Sequence, residues 1–277
     1  MAESAAQTQY RQEIIATFEE GMSWLRQTTV TETVIKGNSA VFLVAGSGGA
    51  TANTRGINGL IPARADDMTQ NTATLVEWHD LVRKTRFNIF QSQGDQRRLM
   101  QTTTRKVLNR RFDADIVAQL DTATNQVAAT AAIITLQHVM KALTTLGENE
   151  VPVEDEDSMW AVATPGVRGY LSQMTEFNSA DYVDTKPLVG PVRRVKRWAG
   201  FNWIFHPNLT GVGTASEKCY FFHRDAMGSA FDTDGMNTAI GYDDEQDYSY
   251  ARASAFTAAK LLQQAGIVQF LHDASGI

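Results

Sequence analysis

Residues 96–121 read QRRLMQTTTRKVLNRRFDADIVAQLD, a run with no glycine or proline. Leu108, Phe112, Ile116 and Leu120 recur four apart, and Leu99, Val107 and Val117 widen the stripe on neighbouring faces. That spacing predicts a helix with one face held against protein over several turns. Gly94 breaks the segment before it, and Asp95 stands where an N-cap belongs. At about 1.5 Å per residue the helix would be roughly 40 Å long, above the three turns usual in globular proteins. Traced backwards, the row is read through Arg105 and Arg98, so the stripe is expected to be apolar only in its C-terminal half. The first half also carries Arg97, Lys106, Arg110 and Arg111. A flank of this kind is either solvated or faces a neighbouring subunit.

A chain of 277 residues can bury a large core, as one elaborate domain or two. No apolar run approaches the 18 residues of a membrane-spanning helix, so no membrane partner is expected. The N-terminal MAESAAQTQYRQEIIATFEE is acidic and amphipathic, without the charged-then-apolar order of a signal peptide, so the protein is expected to stay in the cytoplasm where it is made. One cysteine, Cys219, excludes an intrachain disulfide and a cysteine-rich metal site, and its setting KCYFF reads as a buried strand. The net charge of −6 argues against a general nucleic-acid binder, whose affinity comes from neutralising phosphates. Charge is instead segregated locally, a pattern that complementary protein surfaces produce.

Outward from the long helix, the spacing of Ile14, Ile15, Phe18 and Met22 predicts a short helix within residues 1–27. TTVTETVIKG and SAVFLVAG read as strands separated by Gly37-Asn38, the second more buried. Residues 46–74 carry five glycines and show no helical or strand period, which marks either a functional excursion or a disordered loop. Ile57, Leu60 and Ile61 give it something to dock with. Alternation from Thr74 to Gln91 predicts one long strand. After a break at 122–126, a second helix is expected over Val127–Leu146, striped by Ile133, Leu136, Met140 and Leu143 and stopped at Gly147. The acidic GENEVPVEDEDS is the clearest boundary, and beyond it the chain reads as α/β. There MWAVAT, the pair within PVRRVKRWAGFNWIFH, KCYFFH, MNTAIGYD, the start of YSYARASAFTAAKLL and AGIVQFL read as strands. PGVRGYLSQMTEF and RDAMGSAFD read as helices, the first entered through Pro165.

Nothing in the chain forms a catalytic or cofactor motif. GSGGATAN at 46–53 lacks the Lys-Ser/Thr ending of a phosphate loop, and Thr51 stands where G-x-G-x-x-G needs its third glycine. DTDGMNTAIGYDDE does not fit a calcium loop and reads as a turn feeding a strand. His79, His138, His206, His223 and His272 show no metal-ligand spacing. The consecutive Glu154–Asp157 carboxylates splay apart, whereas acid/base work needs two aimed at one point. What remains is the basic run RRVKR at 193–197. As a strand it places Arg194 and Lys196 on one side, which either meets an acidic loop of a neighbour or is a solvated face.

The order of elements and four stretches resemble tailed-bacteriophage major capsid proteins: FNIFQSQGDQRRLMQ, TPGVRGYLSQMTEFNSADYV, RVKRWAGFNWIFHPNLTGVGTA and IGYDDEQDYSYARASAFTAAKLLQQAGIV. The resemblance spans nearly the whole chain and is most specific in its second half. It implies the α+β Johnson fold, shared with gene transfer agents and encapsulins. Its parts would be an N-terminal arm (1–27), an extended β loop (28–93), a peripheral domain with the long spine helix (94–150, plus late strands from 236–277) and an axial domain (151–235). The implied function is self-assembly, as hexamers and pentamers, into an icosahedral shell enclosing double-stranded DNA in a virion. A gene-transfer-agent or encapsulin-like shell is the alternative. Portal, scaffold or decoration proteins are the further partners the family brings, and no cofactor or catalytic residue is carried over. The residues expected at contacts between subunits are Arg97, Arg98, Arg105, Arg110, Arg194, Lys196, Arg55, Ile57 and Leu60.

Overall fold

A computed structural model describes residues 21–34, 37–47, 49–55, 59, 61, 63–64, 67–91, 96–178, 195–233 and 235–276. In chain order the elements begin with β1 (Val30–Val34), β2 (Ser39–Gly46), β3 (Asp67–Thr74), β4 (Val76–Thr85), α1 (Arg86–Gln91), α2 (Gln96–Leu120) and α3 (Leu136–Glu148). They continue with β5 (Met159–Ala163), α4 (Pro165–Gln173), α5 (Thr175–Asn178), β6 (Val195–Trp198), β7 (Phe201–Phe205) and β8 (Glu217–His223). The last four are β9 (Met227–Asp232), β10 (Asn237–Asp243), β11 (Tyr248–Leu261) and β12 (Ile267–His272).

The chain divides into two compact units. One holds Met1–Ser23, Glu77–Phe112 and Asp234–Phe256; the other holds Trp24–Val76, Asp113–Thr233 and Thr257–Ile277. In the first, β10 and the start of β11 pair antiparallel, from Asn237↔Ser254 to Asp243↔Tyr248. β4 also pairs with β11, and the Arg83 guanidinium lies 4.8 Å from the Tyr248 ring centroid. The Arg111 guanidinium covers Trp78 of β4 at 3.7 Å.

The second unit is built on a five-stranded sheet in the order β12-β8-β5-β7-β6. Alternation sorts its side chains onto two covered faces. Cys219, Phe221, Trp203, Val268 and Phe270 join Val139, Ala142 and Leu146 of α3 and Val167 and Leu171 of α4. Tyr220, Phe222, Val162 and Ile267 face the other way, onto Ile116, Val117 and Leu120 of α2. Both faces being buried explains why these strands read as nearly continuous apolar runs. β1 adds in parallel to β9, which pairs antiparallel with the end of β11.

The long helix is as expected in place and length, but its buried row differs. Residues four apart from Leu108 backwards are Thr104 and Met100, and both are buried. Arg98 and Arg105 lie on an exposed face instead. The contact stripe therefore runs the whole helix, with Thr104 tolerated because its hydroxyl donates to the Met100 carbonyl at 2.8 Å. The capping role of Asp95 and most of the helix expected within 1–27 lie outside the described residues. Of that helix, Leu25–Thr28 forms only a 3-10 turn.

Four other expectations are corrected. The strand expected to Gln91 ends at Thr85, whose hydroxyl accepts from the Asn88 N–H and starts α1. The excursion expected to lack strand period contains β3, a threonine-rich strand paired along its length with β2. RDAMGSAFD is a 3-10 turn followed by β9, because β1 and β11 flank it from distant parts of the sequence. The second helix begins at Leu136, not Val127. The alanine-rich 127–134 segment runs along β12 instead, where the Val127 and Ala132 N–H groups donate to Gln269 and Leu271 carbonyls. The stripe rotates accordingly: Val139, Ala142 and Leu146 are buried while Ile133 and Met140 are exposed. The helix also runs past Gly147, ending where Val151 N–H bonds to Leu146 C=O and Glu150 adopts φ 60°.

The β6–β7 hairpin turns through Ala199 and Gly200, both left-handed at φ 52° and 76°. That is the two-residue turn matching strand twist, and alanine is a poor first residue for it. Ala199→Asn is expected to stabilise the protein by about 0.5–1 kcal/mol, read as a raised urea midpoint at unchanged slope.

Candidate assembly interface

Strands β2 and β3 form a separate two-stranded ribbon, paired from Ser39↔Thr74 to Gly46↔Asp67. One face is anchored: Ala40, Phe42 and Ala73 pack with Val34 of β1, Ala230 of β9 and Ala258 of β11. The Phe42 ring occupies the space over Gly228, where a built Cβ would lie 2.9 Å from the ring tip. The other face presents Val41, Leu43 and Ala45 beside Thr72, Gln70 and Met68. Leu43 is 65% exposed and Met68 58%. The sequence alone predicts a buried strand here, because Val41-Phe42-Leu43-Val44 is apolar on both sides. Only the pairing shows which face is covered. Past the ribbon, Arg55 and Ile61 are exposed, whereas Ile57 and Leu60 lie outside the described residues.

Of the basic candidates, Arg98 and Arg105 are exposed on α2 and Arg110 is half-buried, while the Arg97 side chain and Arg194 lie outside the described residues. Lys196 is half-buried on β6. The neighbouring Arg197, on the opposite side of that strand, bonds to Asp157 and lies 3.6 Å from Glu156. The acidic segment thus meets part of the basic run within one chain.

Buried polar groups hold the body together. Asp113 accepts from the Trp24 and Leu25 N–H groups, both at 3.2 Å, and pairs with His206 Nε2 at 3.0 Å. His206 Nδ1 accepts from the Asn208 N–H at 3.1 Å, so Nε2 carries the hydrogen that points at Asp113. Glu217 accepts from the Thr164 hydroxyl and from the Gly213 N–H at 2.7 Å. With its partners supplied, this carboxylate is committed to structure.

At the end of α2, Asp121 accepts from Thr210 Oγ1 at 2.6 Å, Lys218 Nζ at 2.9 Å and Tyr220 OH at 2.5 Å. Burial alone would raise its pKa, but these three donors outweigh that and hold it below the ordinary carboxylate value. Its contribution to stability is therefore present above the unfolded carboxyl pKa and lost as pH falls through the lower folded value. Asp121→Asn is expected to destabilise by about 1–2 kcal/mol at neutral pH and much less near pH 3, checked by urea unfolding at both.

Burial pushes the Cys219 thiol up to about 12, which makes it inert. Among the described residues no group of histidine, cysteine and acidic side chains is arranged to hold a metal. No helix among them is long and apolar enough to cross a membrane.

No curated protein matches the sequence significantly. Among solved structures, the chain superposes on one from Mycobacterium phage Che8 with TM-score 0.76 at 14% identity, covering 98% of each chain. It matches the capsid of cyanophage P-SCSP1u with TM-score 0.73 at 14% identity, over 97% of this chain and 93% of that one. For the capsid of a native gene-transfer-agent particle the TM-score is 0.70 at 14% identity, over 97% and 96%. At such identity the likeness is one of fold. A sequence profile described as phage capsid protein matches residues 2–274, and so the chain belongs to the phage capsid protein family.

Proposed function

We propose that the chain is the major subunit of an icosahedral shell that encloses double-stranded DNA. It is a structural protein of the capsid, not an enzyme, and it associates with copies of itself. The observation that carries the reading is the outer face of the β2–β3 ribbon, with Leu43 and Met68 exposed, among the described residues, on a strand pair whose opposite face is anchored. Exposed apolar area of this kind is stable in solution when another surface covers it. Ring-forming contacts repeated around a shell suit a ribbon on one copy and a receiving surface on the next.

The finer reading has hexamers and pentamers assembled in the host cytoplasm, with portal, scaffold or decoration proteins joining the shell. The arm (1–27), extended loop (28–93), peripheral domain (94–150 with 236–277) and axial domain (151–235) are part of the same proposal. Arg97, Arg98, Arg105, Arg110, Arg194, Lys196, Arg55, Ile57 and Leu60 are its contact residues. A net charge of −6 suits a container that must not grip its DNA tightly. The likeness to a gene-transfer-agent capsid favours one second reading, a shell of that kind.

Expression of the full chain, alone and with its neighbouring genes, is expected to give closed particles by electron microscopy that protect DNA from nuclease. A monomer under every condition sinks the proposal. Sequencing the protected DNA separates the readings: one viral genome for a phage, host fragments for a gene transfer agent.

A further inference from the structure

The turn between β10 and β11 carries Asp243, Asp244, Glu245 and Asp247. Two of these carboxylates build the turn. Asp243 Oδ1 accepts from the Glu245 N–H at 3.0 Å and the Gln246 N–H at 3.2 Å. Asp247, at φ 50°, accepts from the Tyr242 hydroxyl, and its carbonyl accepts from the Arg86 N–H at 3.4 Å. Asp244 and Glu245 are left exposed at the tip, with no ion-pair partner among the described residues.

The same compact unit contains the basic flank of α2. Arg98, Thr102 and Arg105 are exposed on successive turns of one face, with Lys106 and Arg110 half-buried beside them. No described carboxylate pairs with Arg105 within the chain. A tip of one sign and a helix face of the other, both on every copy, are complementary between copies.

We infer that the 243–247 tip of one copy docks on the Arg98–Arg105 face of α2 in a second copy. Asp244 and Glu245 then meet Arg105 and Arg110. The contact rests on the shell reading above and names the partner of that basic flank. It is head-to-tail: each copy in a pair keeps one unused tip and one unused face, so the contact continues around a ring. Such exposed pairs set register and association rate more than affinity, and salt screens them.

Two measurements test it on the full chain. Chains carrying Arg105→Cys alone are co-expressed with chains carrying Glu245→Cys alone, then mildly oxidised. A disulfide-linked pair of the two is expected, with no competition from buried Cys219. Separately, Arg105→Glu with Arg110→Glu is expected to cut particle yield about tenfold, as is Asp244→Arg with Glu245→Arg, and combining all four to restore most of it. The inference is overturned if unmodified chains build shells while the mixed cysteine chains give no linked pair. It is equally overturned if the fourfold variant assembles as poorly as either reversal. If unmodified chains build no shell at all, the shell reading fails and this contact with it.

Discussion

Asp113→Ala is expected to destabilise the subunit by about 3–5 kcal/mol, the largest effect of any single polar substitution in the body. The side chains of Asp113 and His206 are 2% and 1% exposed, so water does not reach either. Removing the carboxylate strands the Trp24 and Leu25 N–H groups and the His206 N–H together. An unsatisfied buried donor costs its desolvation, about 1–3 kcal/mol each. Asp113→Asn is little better, since the amide offers one acceptor oxygen where the carboxylate offers two and brings an N–H₂ group among donors. His206→Ala should cost less, because Asp113 keeps both backbone donors. Urea unfolding of the three variants gives the ranking; a change below about 1 kcal/mol for Asp113→Ala would refute the account. Asp113 ties the Trp24–Leu25 backbone to α2 and to His206, so its loss frees that segment of the same compact unit.

The second large effect separates folding from assembly on one strand. Leu43→Asp with Met68→Asp places charge on the outer ribbon face and is expected to leave subunit stability within about 0.5 kcal/mol, because both side chains are already in water. Closed particles should fall at least tenfold, since covering a carboxylate requires desolvating it without a partner, and about 1.5–3 kcal/mol of apolar burial per side chain is forfeited as well. Phe42→Ala, one residue along, should do the reverse. It removes the ring seated over Gly228 and costs about 3–4 kcal/mol of subunit stability. Normal shells from the double aspartate variant, or an equal loss of subunit stability, would place the receiving surface elsewhere.

What could be read from the chain follows from how local each signal is. The uninterrupted 96–120 helix, the β6–β7 strand pair and the proline entering α4 are written in neighbouring residues, and each lies where the sequence puts it. The family was legible because the resembling stretches run nearly end to end. Elements decided by distant partners were misread. The 127–134 segment is alanine-rich and reads as helix, yet β12 draws it into extended pairing. β9 looks helical in isolation and is a strand because of β1 and β11. The Asp113–His206 pair joins residues 93 apart, and no spacing rule finds it. The basic residues of α2 were visible as a cluster; which of them face outward was settled by the true path of the buried row through Thr104 and Met100.

The parallel pairing of β1 with β9 has a consequence for the making of the protein. Thr29 and Ser229, whose hydroxyls meet at 2.7 Å beside that pairing, are 200 residues apart. At a synthesis rate of about 5–20 residues per second, β1 leaves the ribosome roughly 10–40 s before its partner exists. During that interval it is an unpaired strand edge, open to mispairing with other nascent chains. Closure must then pay a long-loop entropy that local helices do not, which makes it a late and slow step. A ribosome stalled before residue 228 releases a chain whose β1 can never close. Soluble yield should therefore fall far more sharply for truncations before β9 than for those trimming the last few residues.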